Sequence, residues 1–120
     1  RLEMYQKLAR ISSEKEFKEI EEEFRDRFGE LPKEVLNLIW QSKIKLMAER
    51  CGLYSITCEA HQLVMRFPPL PTDLKRRSMI SLEPYWRSGK NEYWQKFSLK
   101  DDWQIYLENA LEKLMNSNQK

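Results

Sequence analysis

Apolar residues recur at helical spacing through the first fifty positions of the chain and then at alternate positions, so the pattern predicts helices first and strands afterwards. Phe17, Ile20, Phe24 and Phe28 stand at i, i+3, i+7 and i+11, which draws one apolar stripe down a helix. The other face of that helix carries Glu19, Glu22, Glu23 and Asp26. Ser13 followed by Glu16 has the capping-box spacing, which places the helix start near Glu14 and lets it run to Phe28. Gly29 suits the left-handed residue that closes a helix, and Pro32 suits the first turn of the next.

Before that corner, Leu2, Tyr5, Leu8 (with Ala9) and Ile11 predict an amphipathic helix over residues 1–11, a lead-in element ending by residue 12. After it, Val35, Leu36, Ile39, Trp40, Leu46 and Met47 predict a long helix from Lys33 to Arg50, with Gly52 beyond its end. Lys43 interrupts this stripe and is expected to lay its stem over apolar surface. From Leu53 the period falls to two, and residues 53–58 and 63–67 read as antiparallel strands joined through Glu59-Ala60-His61-Gln62. Pro68-Pro69-Leu70-Pro71 makes a rigid corner, after which Thr72 or Asp73 would cap a short helix carrying Leu74, Met79 and Ile80. Leu82–Trp86 and Tyr93–Leu99 read as a second hairpin around Ser88-Gly89-Lys90-Asn91. Trp103, Tyr106, Leu107, Ala110, Leu111 and Leu114 line one side of a last helix, Asp101–Met115, with Asp101 or Asp102 as its cap and 116–120 as a polar tail.

The expected fold is therefore α+β: amphipathic helices packed on a small antiparallel sheet of short hairpins, in one domain over residues 1–120. Because Arg1 already lies inside a helical pattern, the chain reads as a piece of a longer protein.

Composition narrows the function classes. Twenty-one basic against nineteen acidic residues leave a net charge of +2, so a charge-driven partner must read a local patch. Cys51 and Cys58 have neither metal-ligand nor disulfide-framework spacing, and both thiols are expected to pack as small apolar groups in a reducing compartment. No apolar run approaches the roughly 20 residues of a membrane span, which sets the expectation of a cytoplasmic chain. Gly29, Gly52 and Gly89 stand alone at turns, so no phosphate-cradling loop and no nucleotide cofactor are expected. His61 is the only histidine and sits in the first hairpin loop without a marked nucleophile partner; no metal site and no catalytic residues are assigned.

Two charged constellations remain as candidate contact sites. Glu19, Glu22, Glu23 and Asp26 would offer a partner's arginines several carboxylates fixed in direction on one helix face. Lys75, Arg76 and Arg77 near Trp86, with Arg87 and Lys90 near Tyr93 and Trp94, could instead hold a phosphate backbone or contact a polymerase. Charge runs are most often solvated faces, and strand aromatics most often core.

Arg1-Leu2-Glu3-Met4-Tyr5-Gln6-Lys7-Leu8-Ala9, then Glu22 to Pro32, Val35 to Leu38 and Leu46 to Leu53 together resemble the C-terminal domain of bacterial transcription-repair coupling factors. The Asp-Arg-Phe-Gly-x-Leu-Pro string carries most of the likeness, which is strong over residues 1–53 and a matter of element order over 54–116. Relatives often carry glycine between the first two strands, where this chain has Glu59-Ala60-His61-Gln62. The resemblance implies a non-catalytic domain of an ATP-driven DNA translocase that displaces RNA polymerase at lesions and recruits UvrA in DNA repair. It further implies that this domain clamps an N-terminal UvrB-like module of the same protein and hides the UvrA-binding surface until polymerase is engaged. Glu23 and Asp26 match the acidic contacts of that clamp.

Overall fold

The computed structural model of the chain describes residues 2–97 and 102–118. Among them the order is α1 (Leu2–Ala9), α2 (Glu14–Phe28), α3 (Lys33–Arg50), β1 (Ser55–Glu59), β2 (Gln62–Arg66), β3 (Arg87–Ser88), β4 (Glu92–Lys96) and α4 (Trp103–Asn118), an α+β arrangement as expected. Arg1, the Ser98-Leu99 end of the expected strand, Asp101 as a cap, and Gln119 and Lys120 lie outside the described residues. The chain divides between Leu46 and Met47 into two units.

In the first unit Leu8, Phe17, Phe24, Leu31 and Ile39 are buried together, with Met4, Ile11, Ile20, Val35 and Leu36 packed against them. Burying each phenylalanine contributes about 2–3 kcal/mol. The inward face of α1 is Met4 and Leu8, followed by Ile11 just past its end; Leu2 and Tyr5, expected on that stripe, are 72% and 52% exposed. A short helix can satisfy the 3.6-residue period with either of two apolar faces, and packing against α2 selects one. Phe28, also expected inside, is 53% exposed, and its ring meets Phe24 on one side and the Arg27 guanidinium at 5.4 Å. Ser13 does occupy the N-cap of α2, but its hydroxyl donates to the Glu16 carboxylate instead of accepting a backbone N–H. Gly29 adopts φ 78°, ψ −149°, a region open essentially to glycine alone, while its N–H donates to the Arg25 carbonyl at 2.8 Å.

In the second unit the sheet runs β1-β2-β4-β3, antiparallel throughout. Leu63 and Met65 of β2 and Tyr93 and Gln95 of β4 alternate onto one buried face. The buried side of α4 is Leu107, Ala110, Leu111 and Leu114, and the Cys51 thiol reaches the Leu111 carbonyl at 3.4 Å. Cys58, expected to be packed, is exposed because it lies near the end of the outer strand β1. Ala60 and His61 form a two-residue hairpin loop with φ of 47° and 64°, a turn whose positions glycine or asparagine fill with less strain.

Two expected elements are absent from the described residues. Residues 82–86 form a turn through a cis Glu83–Pro84 bond, and β3 is confined to Arg87–Ser88. Pro84 has no N–H to give a ladder, which removes a strand there. The short helix expected around Leu74, Met79 and Ile80 is an irregular segment instead, with Leu74 and Ile80 exposed. Its backbone is spent on the hairpin, the Arg77 N–H donating to the Lys90 carbonyl at 2.8 Å.

Candidate docking surfaces

The acidic candidates lie as expected on one exposed stripe of α2, opposite the buried Phe17 and Phe24. They are not equivalent. Lys7 of α1 donates to the Glu23 carboxylate at 2.7 Å, and that bond, with the nearby charges of Lys7 and Arg27, holds the Glu23 carboxyl below its ordinary value of 4.5. Arg27 likewise reaches Glu3 at 3.4 Å, so two ion pairs join α1 to α2 along one flank. Among the described residues no hydrogen bond or ion pair reaches Glu19, Glu22 or Asp26. Three exposed carboxylates at i, i+3 and i+7 thus stay open to guanidinium groups, with Glu23 beside them behind a displaceable lysine.

Sequence reasoning missed Lys7. Its helical position was legible, but only the packing of α1 on α2 brings residues sixteen apart within bonding distance.

The basic candidates are not gathered as one patch. The Arg77 guanidinium donates to Asn91 Oδ1 at 2.8 Å and to the Pro68 carbonyl at 3.0 Å, and lies 5.0 Å from the centre of the Phe67 ring. Arg77 is therefore a fastener of the proline corner. Lys75, Arg76, Arg87 and Lys90 are exposed, whereas Trp86 and Tyr93, the aromatics expected beside them, are 3% and 0% exposed and belong to the core. The Tyr93 hydroxyl donates to the Ile80 carbonyl at 2.6 Å, and burial pushes its pKa up to about 12.

Among the described residues no cluster of His, Cys, Asp or Glu could hold a metal ion, and no helix is long and apolar enough to cross a membrane.

The family model for the TRCF domain matches residues 1–76. A transcription-repair-coupling factor of Buchnera aphidicola subsp. Acyrthosiphon pisum (strain APS) is 45% identical over 53 residues, which is 44% of this chain but 6% of that protein. The crystal structure of the C-terminal domain of a transcription-repair coupling factor superposes with a TM-score of 0.69, covering 97% of this chain and 81% of that one at 22% identity. At that identity the likeness establishes a shared fold.

Proposed function

Because this chain belongs to the TRCF domain family, we propose that it is a non-catalytic, autoinhibitory docking domain of a transcription-repair coupling factor. In this reading it clamps the N-terminal UvrB-like module of the same protein and masks the UvrA-recruiting surface until RNA polymerase is engaged. The parent protein would supply the ATP-driven translocation on DNA. The observation that supports the reading is the α2 stripe, where Glu19, Glu22 and Asp26 are exposed and uncommitted among the described residues.

Arginines of the partner module would meet Asp26 and Glu22 directly, and one of them would displace Lys7 from Glu23. Exchanging one cation for another changes little charge, so the clamp can stay weak enough to release. A coupling free energy of ~1–3 kcal/mol is sufficient to bias access to UvrA. Titrating the domain into the separately produced N-terminal module should give binding that weakens as salt rises. The Glu23→Lys, Asp26→Lys double variant should stay folded and lose that binding. A folded double variant that docks as well as the parent would remove both residues from the mechanism.

The second reading, a nucleic-acid or RNA polymerase contact through Lys75, Arg76, Arg77, Arg87 and Lys90, has to proceed with Arg77 already bonded to Asn91 and Pro68. A salt-dependent mobility shift of labelled DNA by the domain would favour it.

A further inference from the structure

β3 pairs with β4 only as far as Trp94; beyond it β4 keeps β2 on one side, and a groove of about 630 Å³ opens beside it. That volume lies within the range of ligand pockets, about 300–1,000 Å³. Its walls are aromatic, formed by Tyr85, Trp94 and Tyr106, with the two tyrosine rings 5.1 Å apart and tilted by 35°. Arg87 and Lys96 supply its charge, and no carboxylate lines it.

The register explains how these residues meet. Arg87 is the cross-strand partner of Trp94, and Lys96 follows Trp94 by two positions, so all three side chains stand on one face. Of the carboxylates on the same face, Glu59 bonds Arg66 at 2.7 Å, and Glu92 is the cross-strand neighbour of Arg66. Among the described residues, neither Arg87 nor Lys96 makes an ion pair. Gln95 is 9% exposed; its amide N–H donates to the Tyr85 carbonyl at 3.0 Å, while its Oε1 is buried and accepts no hydrogen bond. By strand alternation its side chain stands with Tyr93 on the opposite, core-facing side of β4 from Trp94, so Gln95 ties β4 to the Tyr85 end of the groove and does not face the ligand.

We propose that this groove binds a nucleotide unit. The phosphate sits between Arg87 and Lys96, and the base stacks against the aromatic wall beside Trp94. Stacking is tolerant of base identity because every base has a π-face, and the paired cations take the phosphate. An acidic peptide would use the cations and leave the aromatic wall without a role. The inference is independent of the acidic stripe and of the docking reading. Its ligand can come from a single strand or from a free nucleoside phosphate.

The test is an NMR titration of the whole chain at low salt, following the Trp94 indole N–H with three probes: uridine 5′-monophosphate, an eight-residue oligothymidylate and an octaglutamate peptide. The indole should shift with a nucleotide probe and not with octaglutamate. Arg87→Ala with Lys96→Ala, both exposed positions, should weaken binding at least tenfold without changing the fold, and Trp94→Leu should abolish any preference over octaglutamate. Response to the monophosphate assigns a free nucleotide, and response to the oligomer alone assigns a single strand. No shift with either nucleotide probe, or an equal shift with octaglutamate, overturns the proposal.

Discussion

The acidic stripe of the first unit and Arg77 of the second put charge to opposite ends. Across residues 2–46 charged side chains lie outside the helices: the Lys7–Glu23 and Arg27–Glu3 pairs are exposed, as are Glu19, Glu22 and Asp26. In the second unit Arg77 is half-buried, stacked on Phe67 and bonded to Asn91 and Pro68, while Asn91 itself donates to the Phe67 and Pro68 carbonyls. A helix satisfies its own peptide groups, which leaves its acids available to a partner. An irregular connection such as 67–77 leaves carbonyls that side chains must satisfy. A basic residue there is consumed by the fold before any ligand arrives.

Alkaline titration should separate the units by the largest margin. The Tyr93 hydroxyl is raised by burial from 10 to about 12. Its folded value exceeds its unfolded value, so this stabilisation is complete below pH 10 and is lost as pH rises through 12. Two pKa units correspond to about 2–3 kcal/mol. Denaturant midpoints measured between pH 9 and 12 should show the loss in the parent chain and not in Tyr93→Phe; a parallel fall in both would assign it elsewhere.

Arg77→Ala comes next, with an expected cost of about 2 kcal/mol from two charge-assisted hydrogen bonds and the stacking on Phe67. An unchanged urea midpoint would return Arg77 to the pool of free cations and restore the basic patch. In the first unit the comparable sensitivity lies in the backbone. Gly29→Ala should cost about 1–2 kcal/mol although nothing lies within 4 Å of the added methyl, because φ 78° with ψ −149° is closed to alanine. Full tolerance of alanine would show that residue 29 is not held in that conformation.

The smallest effect is on the acid side. Lys7 holds the Glu23 carboxyl below 4.5, so its contribution is present above pH 4.5 and is lost as pH falls through the lowered folded value. Exposed pairs of this kind contribute little, and the expected sign is a slight acid loss that Glu23→Gln lacks. Carboxylate chemical shifts followed from pH 6 to 2 would read it directly; a Glu23 midpoint at or above 4.5 would deny the bond to Lys7.

Some of this was legible in order along the chain. The spans of α2 and α3, the acidic stripe and a tight loop within Glu59–Gln62 follow from caps, spacing and alternation within a few neighbours; that the turn itself is only Ala60-His61 does not. The α1 stripe was legible as a helix but not as a direction, since Leu2–Tyr5 and Met4–Leu8 obey the same period and only contact with α2 separates them. The expected strand at 82–86 failed at Pro84, whose missing N–H was visible in the sequence but outweighed by the apolar run around it.

Local chemistry, in short-range hydrogen bonds and side-chain periodicity, thus determined where the helices of the first unit begin and end and which acids face outward. Tertiary structure decided which charges remain free. Lys7 meets Glu23 across sixteen residues, Arg77 meets Asn91 across fourteen, and the β1-β2-β4-β3 order sets Arg87 beside Trp94 and Lys96. A pairing between distant residues depends on how elements pack, and the spacing of residues along the chain carries no record of that packing.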